Sequence, residues 1–394
     1  MRRVLSLSTL YPNAADPRFG TFVARSLEAL ARRDDWQVTL INPIGLPPVL
    51  FGRYRALAQA AVDGIERRVD IHRPTFSLIP RVGGRWNPAQ IVAATLPLAR
   101  KLHAEQPFDI VDAQFFWPDG PAAARIARAL GLPLSIKARG ADIHHWGAKP
   151  WAREAMLAAA RQADGLLAVS EALATDMAAL GMDRGKITTH YTGLDRDLFR
   201  PLHHDGLRKR VANEFQLKLG QGPLFVTVGA LIDRKGQELV IRALEELPGH
   251  VLMIGKGPDR ARLHDLAARL GVGRRVHFLG SVDHNQLAVI LSAADAMILP
   301  SASEGLANAW IEALACGTPI VIADAGGARE VVTGPEAGRI VAREPGAIAV
   351  AVRELLADPP ERERVAGYAA RFSWQANAAA LAEHYERILQ NRPG

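Results

Sequence analysis

Short apolar runs alternate with amphipathic stretches along almost the whole chain. RVLSLS at 2–7 is followed by GTFVARSLEALARR at 20–33 and then by WQVTLINP at 36–43. FDIVDAQ at 108–114 leads into GPAAARIARALG at 120–131 and LPLSIKARG at 132–140, and GLLAVS at 165–170 leads into EALATDMAALG at 171–181. The short runs are apolar on both faces, as strands buried in a parallel sheet are. The stretches between them repeat their apolar positions every three or four residues, as helices do. Strand–helix–strand repetition of this kind implies parallel sheets covered by helices on both sides.

The alternation resumes after residue 220. PLFVTVGA, HVLMIGKG, RVHFLGS, AMILPS, PIVIAD and GRIV read as strands, and KGQELVIRALEEL, DRARLHDLAARLG, HNQLAVILSAA and GLANAWIEALACG as helices. Between the two blocks YTGLDRDLFRPLHHDGLRKRVANEF, at 191–215, is irregular and polar, which places a domain boundary near residue 197. The domains expected are 1–197, 198–370 and a closing segment 371–394. In that segment Phe372, Trp374, Leu381, Tyr385, Ile388 and Leu389 form the apolar side of one amphipathic helix that needs a surface to lie on. The fold class expected is α/β, two doubly wound parallel-sheet domains. A cleft between the carboxyl ends of the two sheets is where ligands of such folds bind.

Composition changes this picture little. The 394 residues are 48% hydrophobic and 23% charged, ordinary for a soluble protein of two domains. Apolar runs are too short for a membrane-spanning helix. MRRVLSLSTLYPNA carries two arginines ahead of an apolar run, but the run leads into Tyr11 and Pro12 rather than a small-residue cleavage site, so it reads as a first strand. The single cysteine, Cys316, excludes an internal disulfide framework, fits a reducing cytoplasm, and sits in an apolar helix as a packed thiol. The net charge of +7 falls in the N-terminal half. A basic face there suits an anionic membrane surface or a phosphate-bearing substrate, and a solvated arginine-rich surface accounts for it equally well. Basic runs interleaved with aromatics are missing, so nucleic acid is not an expected partner.

The chemistry gathers at strand ends of the second half. In SASEGLANAWIEALACGTP, at 301–319, a strand gives way to a glycine-bearing turn and a helix. The amides of Gly305, Leu306 and Ala307 are expected as unpaired first-turn donors, which welcome an anion. The same stretch carries Glu304 and Glu312 and no cation. Carboxylates repel phosphate but accept strongly from vicinal hydroxyls. Amides for a diphosphate and acids for alcohols together suit a sugar nucleotide, with Glu312 on a ribose diol and Glu304 on hexose hydroxyls. A cation is available from FVTVGALIDRKGQEL, where Gly229 ends a strand and Arg234, Lys235 and Gly236 open a helix; Lys235 suits the phosphates. The loops holding Gly255, Lys256 and Gly257 and holding Gly280, Ser281 and Val282 are placed to wall a base.

The ordered set VGALIDRKG, IGKGP, VHFLGSVDHNQL, PSASEGLANAWIEALACGTPIVIADAGGAREVV and FSW resembles glycosyltransferase family 4. Glu304 and Glu312 match its pair of acids with seven residues between them. YPNAADPRFGTFV, FDIVDAQ, KARGADI, ADGLLAVSEAL and YTGLDRDLFRP fall where family segments fall, so the resemblance covers nearly the whole chain. It implies the GT-B architecture of two Rossmann-like domains, with the acceptor on the first and the sugar nucleotide on the second. The closing helix would cross back onto the first.

The resemblance further implies a retaining transfer of a hexose from a UDP- or GDP-sugar to a hydroxyl of a glycan or lipid-linked glycan, without a metal. Loosening of the sugar–phosphate bond would be followed by attack from the same face, and the leaving phosphate would take the acceptor proton. Glu312 would bind the nucleotide ribose, Glu304 the transferred sugar, and Lys235 with the amides of Gly305 to Asn308 the diphosphate. Gly20 matches a glycine that lets the backbone approach the donor. The chain departs from the family pattern in having Ala230 after Gly229, where many members have arginine and where Arg234 is a substitute, and Thr192 before Gly193. It also has Arg139 before Gly140, where many have histidine. Arg139 either meets an acidic sugar or a phosphate on the acceptor or pairs with Asp142; it is counted with Glu304 and Lys235 as catalytic, and Arg18 and Asp142 are assigned to the acceptor side.

Asp195 and Asp197 spell a metal motif but sit in the connector, where capping or solvation explains them. Rival readings are a glycoside hydrolase using the two glutamates, a sugar-nucleotide epimerase of the same architecture, and a non-catalytic donor-binding partner. A dinucleotide dehydrogenase is disfavoured because Gly20 is the one glycine in the first strand–helix loop. No cofactor is expected beyond the donor as substrate. GLPPVLFGRYRALAQAAV, at 45–62, reads either as a buried helix or as a stretch resting on the inner membrane leaflet of a cytoplasmic protein.

Overall fold

The computed structural model describes residues 1–79, 83–202 and 206–391. Residues 203–205 of the polar connector and 392–394 of the closing segment lie outside that description. The chain forms two compact units, one of residues 1–193 with 374–394, the other of residues 194–373.

The first unit is built on eight strands. In spatial order they are Ile187–Thr189, Gly165–Ala168, Leu134–Ala138, Ile110–Ala113, Arg2–Leu7, Trp36–Ile41, Val69–His72 and Gly64–Glu66. All neighbours run parallel except the last pair. The central strand sets Val4 opposite Val38 on one side and Ile110 on the other, and all three are fully buried. Such strands need apolar residues on both faces, which is why they read as continuous runs rather than as an alternation.

The closing helix belongs to this unit. It spans Trp374–Gln390 and lays Leu381, Tyr385 and Ile388 among Val23, Leu27, Leu30 and Trp36. The Tyr385 and Trp36 rings stand 5.2 Å apart. Polar bonds fix its register: Ser26 Oγ donates to Asn377 Oδ1 at 2.7 Å, and Asn377 Nδ2 donates to Tyr191 O at 2.6 Å. The helix starts later than its apolar pattern suggests, since Phe372, expected on it, is buried in the second unit. The stretch 45–62 is not a buried helix: only Arg53–Gln59 is helical, and Tyr54 is its one buried residue.

The second unit has six parallel strands, ordered Val276–Gly280, His250–Ile254, Leu224–Val228, Ala296–Leu299, Ile320–Ala323 and Gly338–Val341. The first strand in sequence, Leu224–Val228, lies third. The chain therefore winds outward in one direction and then restarts on the other side. The gap between Leu224–Val228 and Ala296–Leu299 is the switch point, where loops leave in opposite directions and open a crevice at the strands' carboxyl ends. Apart from these two sheets, Ile44–Leu46 pairs with Thr75–Ser77. Among the described residues no helix is long and apolar enough to cross a membrane.

Candidate functional site

The loops at the switch point of the second unit bring the expected residues together. After Leu224–Val228 comes a 3-10 turn, Asp233–Lys235; after Ala296–Leu299 comes the turn that carries Glu304. Ala302 N–H donates to Arg234 O at 2.7 Å and joins the two loops. Lys235 Nζ donates to Glu304 Oε1, the two side chains being 13% and 9% exposed. Arg234 donates to Ser303 O and stands 3.7 Å from the other Glu304 oxygen. Two cations thus share one carboxylate, and the cluster keeps a net positive charge beside a helix start.

That helix spans Asn308–Ala315 and begins three residues later than the sequence suggests. Gly305, Leu306 and Ala307 form the approach to it, and the first-turn donors are Asn308 and Ala309. Ala307 is the N-cap and no side chain caps it, so these amides keep no side-chain acceptor. Glu312 lies one turn further along and is partly buried. Burial alone pushes its carboxyl up to about 7, and it has no hydrogen-bond or ion-pair partner among the described residues. The two acids therefore differ: Glu304 is already paired, whereas Glu312 waits for donors. At the C-terminal end of the same helix Cys316 is fully buried, its thiol pushed up to about 12 by burial, which makes it packing and not chemistry.

The neighbouring loops are held close by backbone bonds. Leu231 N–H donates to Lys256 O at 3.0 Å, and Gly255 N–H to Gly280 O at 2.7 Å. A Cβ on Gly257 would fall 2.1 Å from Leu231 O, so only glycine lets these loops meet. The Lys235 stem passes Gly229 at ordinary contact distance, its carbons 3.5 Å and more from where a Cβ would be. Val282 is half-buried just beyond the strand Val276–Gly280.

In the first unit the expected residues are engaged differently. Arg139 donates to Gln114 O and Oε1, each at 2.7 Å, and covers the Phe22 ring at 4.7 Å. Burial lowers its guanidinium to about 10, so it stays charged at neutral pH. Asp142 does not form an ion pair with that guanidinium. It accepts the backbone amides of Phe116, Arg139, Gly140 and Ile143 at 2.8 to 3.1 Å and is fully buried, which braces the loop. Gly20 has a left-handed φ of 71° and its Cβ would fall 2.5 Å from Leu10 C, so the chain's own first loop requires glycine there. Arg18 is exposed on that loop. Asp195 accepts from Leu198 N at 3.2 Å, a local cap. Among the described residues no three His, Cys, Asp or Glu side chains are grouped to hold a metal.

Sequence reasoning missed a buried polar row beneath Arg139. Lys137 Nζ lies 2.6 Å from His190 Nδ1, and His190 Nε2 donates to Asn377 O at 2.8 Å. Burial drives Lys137 and His190 far down, toward their neutral forms. Lys137 stands inside the apolar run LPLSIKARG, and that interruption was the signal available.

Two family descriptions match the chain: "Glycosyltransferase Family 4" over residues 19–198 and "Glycosyl transferases group 1" over residues 209–372. A D-inositol 3-phosphate glycosyltransferase of Catenulispora acidiphila is 36% identical over 250 residues, 58% of this chain and 57% of that protein. One from Mycobacterium bovis is 33% identical over 242 residues, 58% of this chain and 49% of that protein. The chain thus matches only about half the length of these curated relatives. Among solved structures, a sucrose-phosphate synthase from Thermosynechococcus elongatus superposes with a TM-score of 0.80 at 21% identity, covering 99% of this chain and all of that one. Anabaena HepE in complex with UDP gives 0.74 at 20% identity, covering 98% and 100%. At these identities the two structures establish the shared fold.

Proposed function

The chain belongs to glycosyltransferase family 4, and on that premise we propose that it moves a hexose from a nucleoside-diphosphate sugar to an acceptor hydroxyl with retention of configuration. The observation that carries the reading is the unpartnered Glu312 carboxyl on a helix whose first amides are uncapped, one loop away from Lys235. A carboxylate there accepts both hydroxyls of a ribose diol, and the amides of Leu306 to Ala309 face the diphosphate. UDP is the first candidate nucleotide, since HepE is a structural neighbour solved with UDP and with UDP-glucose.

In this reading Lys235 exchanges partners. Free, it is held by Glu304; with donor bound, it turns toward the diphosphate, and Glu304 is released to accept hexose hydroxyls. As the sugar–phosphate bond breaks, negative charge grows on the leaving diphosphate, where Lys235, Arg234 and the helix amides stabilise it. The acceptor hydroxyl bonds to the anomeric carbon on the face the phosphate leaves, and its proton passes to the phosphate oxygen. These cations take the place a divalent metal would occupy, so turnover is expected to survive EDTA.

A thermal-shift screen of the intact protein against UDP- and GDP-sugars tests the assignment. One nucleotide class should raise the melting temperature, and Glu312→Ala should reduce the rise. A variant that keeps the full rise contradicts the reading.

A further inference from the structure

The loop that follows Ile320–Ala323 reads DAGGAREV at 324–331, and the donor reading gives it no part. The strand it leaves lies beside Ala296–Leu299, with Leu299 opposite Ile322. The loop therefore emerges next to the turn that carries Glu304. A bidentate pair closes it at its base, where Arg329 donates from Nε and Nη2 to the two Asp324 oxygens at 3.0 and 2.6 Å. Its tip is Gly326 and Gly327, and both meet the Glu304 turn through the backbone.

Gly327 N–H donates to Gly305 O at 2.8 Å. Gly326 has a left-handed φ of 52°, and a Cβ on it would fall 2.2 Å from Glu304 O and 2.6 Å from Gly305 O. Two successive carbonyls of the turn thus face this loop at distances that leave no room for a side chain. A trans peptide is planar, with its C=O and N–H on opposite sides. Turning the Gly305 carbonyl toward Gly327 therefore turns the Leu306 N–H away from the loop. The Leu306 N–H has no hydrogen-bond partner among the described residues, and it leads into the uncapped start of Asn308–Ala315.

We infer that Gly326 and Gly327 are positioning residues for the diphosphate: they set the peptide planes of the Glu304 turn so that the Leu306 amide donates to a phosphate oxygen. This rests on the donor reading of that turn. A methyl group at position 326 is disfavoured twice, by the left-handed backbone and by the carbonyls it meets, so the turn must rotate its planes to admit one. The ribose contact at Glu312, inside the helix, does not depend on those planes. The two ends of the nucleotide are therefore held independently.

Calorimetry on the full chain, with a nucleoside diphosphate and the matching nucleoside, tests this. The pair is UDP and uridine, or GDP and guanosine where the guanine nucleotide is the one that stabilises the protein. Gly326→Ala should weaken the diphosphate about tenfold, the loss of one hydrogen bond to a charged group, and leave the nucleoside unchanged. A glycine needed only for packing would move both ligands by the same factor or neither. A second measurement uses the wild-type glycines and so does not depend on the variant folding. With nitrogen-15-labelled leucine, the Leu306 amide resonance is identified by its loss in Leu306→Met. It should move downfield on adding the diphosphate and stay in place on adding the nucleoside. A Leu306 resonance unmoved by bound diphosphate, or moved equally by both ligands, overturns the inference. So does a folded Gly326→Ala protein that binds the diphosphate normally or loses both ligands equally. Those outcomes leave the donor reading standing, whereas a wild-type protein that binds neither nucleotide sinks the donor reading and this inference together.

Discussion

The two units place charged residues at the carboxyl ends of similar parallel sheets, and they use them in opposite ways. In the first, Asp142 is filled by four backbone amides, Arg139 by Gln114, and Asp119 by the amide and hydroxyl of Thr9 at 3.0 and 2.8 Å. Burial pushes the Asp119 carboxyl up to about 7 against those bonds. In the second, one acid is shared by two cations and the other, Glu312, has no side-chain partner among the described residues. A charge satisfied by its own backbone builds a wall. A charge left short of partners is a place for a ligand, because the binding free energy includes what the empty site lacks.

The contrast breaks most plainly at Lys235. If the second unit's charges act on the leaving diphosphate, Lys235→Ala should lower the transfer rate by about two to three orders of magnitude, measured as nucleotide release in the presence of acceptor. Its melting temperature should change little, since Arg234 stays 3.7 Å from the Glu304 carboxylate and keeps that charge compensated. A drop of only a few fold would make the Lys235–Glu304 pair a structural tie.

An effect of comparable size belongs to the first unit and should appear in stability instead. Asp142→Ala strands four amides in a buried loop and should be destabilising by about 3 to 5 kcal/mol in chemical denaturation. Below the melting range nucleotide binding should be unchanged. An Asp142 variant of normal stability that has lost acceptor binding would return this residue to the acceptor side.

Much of this was legible in the sequence, for physical reasons that also mark where legibility ended. Strands buried on both faces must be apolar throughout, so runs such as RVLSLS and AMILPS disclose the parallel sheets. Helix ends must satisfy amides and carbonyls, so Ser170 and Gly181 bracket Glu171–Leu180, and Asp283 with Gln286 forms a capping box ahead of His284–Ala293. The spacing of Glu304 and Glu312 pointed to the candidate site. The pairing within it was hidden, because the Lys235–Glu304 contact joins residues 69 positions apart. Asp142 misled for a related reason: its spacing from Arg139 suggests an ion pair, but the carboxylate turns to the backbone of its own loop.

The smallest effect bears most directly on the central claim, that Glu312 receives the donor's ribose as a carboxylate. Its raised pKa means that the folded protein takes up a proton there between the ordinary carboxyl range and about 7, so this group makes the empty fold less stable as pH rises through that window. Donor binding needs the charged form, so it should strengthen with pH through the same window and level off above it. Calorimetry with the sugar nucleotide that stabilises the protein, whose esterified diphosphate does not titrate there, reads this directly. The wild-type affinity should fall about tenfold from pH 8 to pH 6, and Glu312→Gln should bind about tenfold more weakly at pH 8 with no slope. A Gln variant with wild-type affinity, or one that keeps the slope, would contradict the account.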